Sequence, residues 1–162
     1  MIVKQTFKNH IIVSGFTWIL TGIFIGLWKY LNYDSDFFLI AGLFHLLFSI
    51  PAIFLHIEYS IRNAGEEIEI VHNEVIVRKN GKEQRYFSSD IAKIIFYKSA
   101  SLDKGGMPFS AMEYYNYARI VAKSGEEIIV TCLMTLKIEE ALKTLTGIPI
   151  ERKKRIAFLF WK

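Results

Sequence analysis

Cysteine is almost absent from this chain of 162 residues, since Cys132 is the only one. A single cysteine permits no internal disulfide and no cysteine-based metal site. It lies in the apolar run 128–133, which predicts a buried small side chain rather than a reactive thiol. The composition also excludes a collagen-like repeat and a disordered chain, because 52% of the residues are hydrophobic.

Charged side chains are missing from two long stretches near the N-terminus, residues 11–28 and 37–55. With their apolar flanks, the segments 11–31 and 37–57 would each form a helix about 30 Å long, which matches the hydrocarbon core of a bilayer. A helix buried in a soluble bundle keeps a polar stripe with a period of about 3.6 residues, and the first segment has none. The sequence therefore predicts two transmembrane helices.

The connection between the two segments, residues 32–36, is short and rich in turn-forming Asn, Asp and Ser, which predicts an antiparallel hairpin. A cleaved signal peptide is the alternative for the first segment, but its apolar run is too long and no small-residue cleavage site follows. The positive-inside rule places Lys4, Lys8 and the C-terminal domain in the cytoplasm. We therefore expect a multi-pass protein of the cytoplasmic (inner) membrane with both termini inside.

Small residues recur on one face of each segment: Gly15, Gly22 and Gly26 on the first, and Gly42 and Ser49 on the second. In lipid, small residues let helix backbones approach closely. We expect these five positions to pack the two helices on each other. Homo-oligomerisation through the same stripe is the alternative.

His45 lies near the middle of the second segment, where a polar residue is a functional candidate by default. Neither segment offers it an acidic partner. Thr17, Thr21 and Ser49 can satisfy a neutral imidazole by hydrogen bonding. A structural role is therefore favoured, and a functional role stays open.

The remaining chain is dominated by strand patterns. Asn80-Gly81 predicts a tight hairpin, because both turn positions need positive φ. Residues 136–145 repeat apolar side chains at helical spacing, which predicts one amphipathic helix with Thr135 as its N-cap. Six strands are expected, at residues 67–70, 75–79, 82–87, 91–98, 114–123 and 126–133.

This order resembles the bacterial membrane-anchored pleckstrin-homology-like (PH-like) proteins. The likeness rests on the hairpin 75–87, on a D-I-x-x-I strand start within 89–94, and on the hairpin 114–133 with the helix 136–145. It implies an α+β membrane protein in which a two-helix transmembrane hairpin precedes an antiparallel split β-barrel with one C-terminal helix. That barrel has seven strands, so either residues 59–63 supply the missing one or the barrel is incomplete.

Motifs for catalysis are missing. No glycine-rich phosphate loop occurs, and the four histidines share no metal-ligand spacing. Adjacent glutamates on a strand face opposite sides, so they cannot act together as acid and base. We predict no catalytic residue, no metal site and no cofactor, and the PH-like resemblance likewise implies no catalysis. The alternative hypothesis from a different functional class is a membrane enzyme that uses His45 or His72.

The C-terminal tail, residues 151–162, combines a basic block with aromatic residues. Beside an anionic leaflet each basic side chain contributes about 1 kcal/mol, and Trp and Phe favour the interface. Alternatively the aromatic residues pack on the barrel and the basic block is merely solvated. The residues expected to bind the membrane surface are Arg152, Lys153, Lys154, Arg155, Phe158, Phe160 and Trp161.

The polar stretch 99–110 is expected to be an exposed loop. Loops on a rigid scaffold often bind partners, although a simple long connection explains the stretch equally well. The candidate partner-binding residues are Lys104, Gly105, Gly106, Met107 and Phe109.

Four segments follow from these patterns: a cytoplasmic segment 1–10, the transmembrane hairpin 11–57, a cytosolic PH-like domain 58–150 and the tail 151–162. We predict a non-catalytic protein that binds or scaffolds a membrane or cytosolic protein partner, or anionic lipid head groups. The alternative is an accessory or sensor subunit that docks on a larger membrane complex through its glycine-containing helix. Nucleic acid is not an expected partner, because the basic residues form one block rather than a broad face.

Overall fold

The computed structural model describes residues 1–106, 110–154 and 159. The chain begins its helical part with α1 (Phe7–Tyr30) and α2 (Ser35–Arg62), which pack side by side as a hairpin. The hydroxyl of Thr6 accepts a hydrogen bond from the amide of Asn9, and the carboxylate of Asp34 accepts one from Phe37. Both helices extend beyond the predicted segments at the end nearer the β-sheets.

The apolar side chains of both helices are largely exposed. In their most hydrophobic 18-residue windows, only 6% of α1 and 17% of α2 is buried. The core helix of a soluble protein would be mostly buried, because burial is what stabilises its apolar face. By length and composition, both helices are able to cross a membrane.

The first sheet is antiparallel and has the order β1-β2-β3-β4. Its hairpin turn has Asn80 at φ 52° and Gly81 at φ 74°, which confirms the turn predicted from the sequence. The edge strand β1 was not predicted, and it comes from the N-terminal segment, where Val3 pairs with Ile68. The strands are β1 (Ile2–Lys4), β2 (Glu66–Val71), β3 (Glu74–Lys79) and β4 (Lys82–Phe87).

The second sheet has the order β7-β6-β5-β8, and β8 runs parallel to β5. Of the two alternatives for the seventh strand, residues 59–63 do not supply it, because Tyr59 to Arg62 complete α2 and Asn63 is its C-cap. Both additional strands, β1 and β8, come from the ends of the chain, and the two sheets do not close into a barrel. The strands are β5 (Ile91–Lys98), β6 (Tyr117–Ala122), β7 (Glu127–Thr131) and β8 (Ile150–Lys154).

Short helices occupy the connections. The stretch predicted as a loop after β5 contains α3 (Ala100–Asp103), and a 3-10 turn (Ala111–Tyr114) delays the start of β6. The last helix, α4 (Ile138–Leu142), is shorter than predicted, with Lys137 rather than Thr135 at its N-cap. Its predicted apolar face is nevertheless buried. The buried side chains are Ile138, Ala141, Leu142 and Leu145.

Candidate functional site

The C-terminal end of α2 is joined to both sheets through Asn63, whose side chain is completely buried. Its Nδ2 donates hydrogen bonds to the carbonyl oxygen of Ile129 at 2.9 Å and to Glu66 Oε2 at 3.1 Å. Its Oδ1 accepts a hydrogen bond from Thr131 Oγ1 at 2.8 Å. A buried amide that makes three hydrogen bonds fixes a single geometry, so the helical hairpin cannot swivel freely on the β-sheets.

The N-terminal end of α1 is held at the same place. Gln5 Nε2 donates to the carbonyl oxygens of Tyr59 and Ser60, at 3.1 and 2.9 Å, and so caps the last turns of α2. Asn9 Nδ2 donates to the carbonyl oxygen of Leu133 at 3.1 Å. We call this set of contacts around Asn63, Gln5 and Asn9 the joint.

Buried tyrosines fill the space between α2 and the second sheet. The Tyr59 ring meets Tyr115 and Tyr117 edge-on, with centroids 5.6 and 6.1 Å apart, and Tyr117 stacks on Tyr97 at 4.4 Å. Burial raises the pKa of the Tyr115 hydroxyl above its ordinary value. These rings extend the apolar core from the sheet to the helix.

A hydrogen-bonded chain of two histidines and one tyrosine links the helices to the β-sheets. His10 Nδ1 lies 2.9 Å from His56 Nε2, and His56 Nδ1 lies 3.0 Å from the Tyr115 hydroxyl. No local sequence pattern indicates this pairing, because His10 and His56 are far apart in the chain. Within the described part of the chain, no group of three metal-ligating side chains occurs, and His72 takes no part in this cluster.

A cleft of about 390 Å³ lies between α1 and α2 and is floored by Tyr115. His45 lies in its wall, with Nε2 at 3.1 Å from Thr21 Oγ1 and 3.4 Å from Ser49 Oγ, as expected from the sequence. Its imidazole stacks on Phe24 at 5.3 Å. The other side chains in the lining are Ser14, Thr17, Trp18, Leu46, Ala52, Ile53, His56 and Ile57.

The predicted glycine stripe divides into two groups. A Cβ added at Gly15, Gly22 or Gly26 would meet no heavy atom within 4 Å, so these three do not pack α1 on α2. A Cβ added at Gly42 would lie 3.5 Å from Cζ of Phe24, so Gly42 does face α1, and Ser49 is buried inside the hairpin. A packing role for the three glycines of α1 stays a prediction, and the helix that packs on them would have to come from a second polypeptide chain.

The basic block begins inside β8, where it is partly neutralised by acidic side chains. Arg152 pairs with Glu139 at 3.1 Å and Lys154 with Asp103 at 2.9 Å, while the Lys153 ammonium lies over the Tyr97 ring. These three side chains remain exposed, so their predicted membrane-surface role stays open. The other residues predicted for that surface lie outside the described residues: Arg155, Phe158, Phe160 and Trp161.

Two sets of contacts hold the tail, one with the end of α2 and one with β5 through α4. The backbone amide of Leu159 donates to Glu58 Oε1 at 2.9 Å, one residue beyond the predicted second span. Glu139, which also pairs with Lys98, ties β8 to β5. Lys98, with a smaller contribution from Arg152, holds the pKa of the Glu139 carboxyl below its ordinary value.

The predicted partner loop is only partly described. Lys104, Gly105 and Gly106 are exposed, and the Gly106 amide donates to the carbonyl oxygen of Ser101 at 2.9 Å. Met107 and Phe109 lie outside the described residues. The partner-binding role of this loop therefore stays a prediction.

A family model described as a PH domain matches residues 3–140, a range that begins within β1, contains both long helices and ends within α4. No curated protein and no solved structure gives a match. The matched region covers most of the chain, and the two mainly antiparallel sheets agree with it. PH domains are typically binding modules without catalytic activity. The chain belongs to the PH domain family.

Proposed function

We propose that this protein is a membrane-anchored, non-catalytic binding or scaffolding protein that presents its PH domain at the cytoplasmic face of the inner membrane. The observation that carries the proposal is the combination of two exposed apolar helices with the buried joint at Asn63. Exposed apolar area on this scale calls for lipid or a protein partner. The joint then holds the domain at a fixed position beside the bilayer.

The contacts between the domain and the helices support a particular face toward the lipid. The Tyr114 ring contacts Phe16 of α1 at 5.4 Å, so the connection between β5 and β6 lies beside the helices. β5 runs toward that connection and ends at Lys98, and the parallel strand β8 ends beside it at Lys154. The basic ends of these two strands would therefore face anionic head groups.

Cysteine labelling tests the orientation. The replacements Ser35→Cys, in the hairpin, and Ser89→Cys, in the exposed turn after β4, are isosteric and lie on opposite sides of the proposed membrane. In intact cells, a membrane-impermeant maleimide is expected to label Ser35→Cys only, and Ser89→Cys should react only after the membrane is opened. The proposal requires this asymmetry, because both termini are placed inside.

The native chain supplies the control for that experiment. Cys132 is buried, and burial raises the pKa of its thiol to about 12, so background labelling should be negligible. Labelling of Ser89→Cys in intact cells would contradict the proposed orientation, because it would place the β domain outside the cell. Recovery of the intact chain from the aqueous fraction without detergent would contradict membrane anchoring itself.

Hydrogen exchange in nanodiscs tests the lipid-facing strand ends. We expect residues 150–154 to exchange several-fold more slowly when anionic lipid replaces neutral lipid, because each basic residue near the surface contributes about 1 kcal/mol. The double variant Lys153→Gln/Lys154→Gln should lose this protection. The matched variant Lys82→Gln/Lys123→Gln, at the exposed start of β4 and in the exposed turn after β6, should keep it. Equal exchange in both lipids would contradict a head-group role.

A role as a subunit of a larger membrane complex is the second candidate. The open space in front of Gly15, Gly22 and Gly26 favours it, since a partner helix could approach the backbone there. Mass measurement of the protein extracted from native membranes separates the two functions. A stable complex that contains a second polypeptide supports the subunit, and a lone monomer contradicts it.

A further inference from the structure

The cleft between α1 and α2 is apolar along most of its length. Its lining on α2 runs from His45 to Ile57, roughly 18 Å along the helix axis, and its apolar wall includes Trp18, Leu46 and Ile53. Ile53 is half exposed, so the cleft opens toward the side of the hairpin. With the helices in a bilayer, as the proposed function has it, the cleft is accessible to molecules dissolved in lipid.

Most polar side chains in the lining already have partners. The Trp18 indole donates to Ser14 Oγ at 3.1 Å, and the Ser14 hydroxyl donates to the carbonyl oxygen of His10 at 2.7 Å. Both ring nitrogens of His56 are engaged, one by His10 and the other by Tyr115. The floor of the cleft is therefore satisfied without a ligand.

His45 is the exception. Thr21 donates its single hydroxyl proton to the carbonyl oxygen of Thr17 at 2.9 Å, which leaves its oxygen to accept from Nε2 of His45. The tautomer that satisfies this contact carries its ring proton on Nε2. The other nitrogen, Nδ1, is then a hydrogen-bond acceptor. Within the described part of the chain, Nδ1 has no hydrogen-bond partner. An acceptor without a partner in apolar surroundings gains stability when a ligand donates to it.

We propose that this cleft binds one uncharged, lipid-soluble molecule that carries a hydroxyl group, with the hydroxyl donating to His45 Nδ1 and the apolar body lying between α1 and α2. A ketone or an ether offers no proton to this nitrogen, and a carboxylate would meet its lone pair with negative charge. The apolar lining favours an extended hydrocarbon body over a polar one. The hydroxyl of Thr17, which also lines the cleft, can complete the ligand's hydrogen bonding.

Photolabelling of the full chain in phosphatidylcholine nanodiscs tests this site. The probe is a long-chain alcohol with a diazirine on its chain, and its methyl ether is the matched probe without a donor. One net hydrogen bond is worth about 1 kcal/mol, so the alcohol should label the cleft residues about fivefold more than the ether. Equal labelling by the two probes would overturn the proposal, because it would show that a hydroxyl group adds nothing to binding in the cleft.

Two variants locate the effect. His45→Phe keeps an aromatic ring beside Phe24 and removes the acceptor, so labelling by the alcohol should fall to that of the ether. Leu47→Phe adds the same ring on the lipid-exposed face of α2 and should keep the preference for the alcohol. A preference that persists in His45→Phe also overturns the site. Incorporation into nanodiscs is measured on the same samples, so failure of the membrane anchor appears separately, as protein that does not co-elute with lipid.

Discussion

The variant Asn63→Ala is expected to lower the free energy of unfolding by about 3 kcal/mol. Removal of the amide leaves the Ile129 carbonyl and the Thr131 hydroxyl buried without this partner, and each such loss costs about 1–3 kcal/mol. Glu66 loses less, because Arg62 at 3.2 Å and Lys79 at 3.7 Å still face its carboxylate. The expected loss is a large share of the stability of a small domain.

Denaturant unfolding in mild detergent, followed by near-ultraviolet circular dichroism of the buried tyrosines, measures this loss. Thr131→Val removes only one of the three hydrogen bonds at nearly constant volume and should cost about 1 kcal/mol. Gln84→Ala, on the exposed strand β4, should stay within about 0.5 kcal/mol of the native chain. If Asn63→Ala behaves like Gln84→Ala, the helical hairpin is not fixed to the sheets through this amide.

Local patterns were sufficient to predict most elements of the fold. The uncharged runs identified both long helices, because a helix with exposed apolar sides leaves a continuous signal in the sequence. The Asn80-Gly81 turn fixed the register of the first hairpin, since Val77 and Gln84 then pair across it. In α4, the helical spacing of Ile138, Ala141 and Leu142 correctly identified the buried face, although the helix ends early.

The elements that the sequence did not reveal depend on partners far away in the chain. A strand of three residues, β1, has no periodicity long enough to detect, and only pairing with β2 makes it a strand. β8 contains the start of the basic block, which was predicted to lie in a tail outside the β domain, but parallel pairing with β5 orders it. The joint and the His10–His56 contact likewise join residues that only the tertiary structure brings together.

These long-range elements also change the interpretation of the segment boundaries. The N-terminal segment 1–10 was predicted to lie outside the β domain, yet its strand β1 completes the first sheet, and Gln5 caps α2. The family match begins at residue 3 and continues through both helices, in agreement with this arrangement. We therefore expect the helical hairpin and the β-sheets to fold as one unit, and a chain that starts at residue 58 to lack part of its first sheet.

The variant Val3→Asp tests that interdependence. The Val3 side chain is 2% exposed and belongs to the same core as Ile68 and Ile70. Loss of its apolar burial costs about 2 kcal/mol, and burial of an unpartnered carboxyl group adds about 2 kcal/mol more. We expect the free energy of unfolding to fall by about 4 kcal/mol in total. The loss would be smaller if β1 detaches from β2, because the new carboxyl group would then reach water.

The neighbouring residue supplies the control for Val3→Asp. Ile2 lies on the same strand but faces outward, with 54% of its surface exposed, so Ile2→Asp introduces the same charge at a solvated position and should cost less than about 1 kcal/mol. Hydrogen exchange locates the change, because the Ile70 amide donates to the Met1 carbonyl oxygen at 2.7 Å and should lose protection only in Val3→Asp. Equal stability of the two variants would mean that β1 is dispensable, and the domain could then fold without the segment that precedes α1.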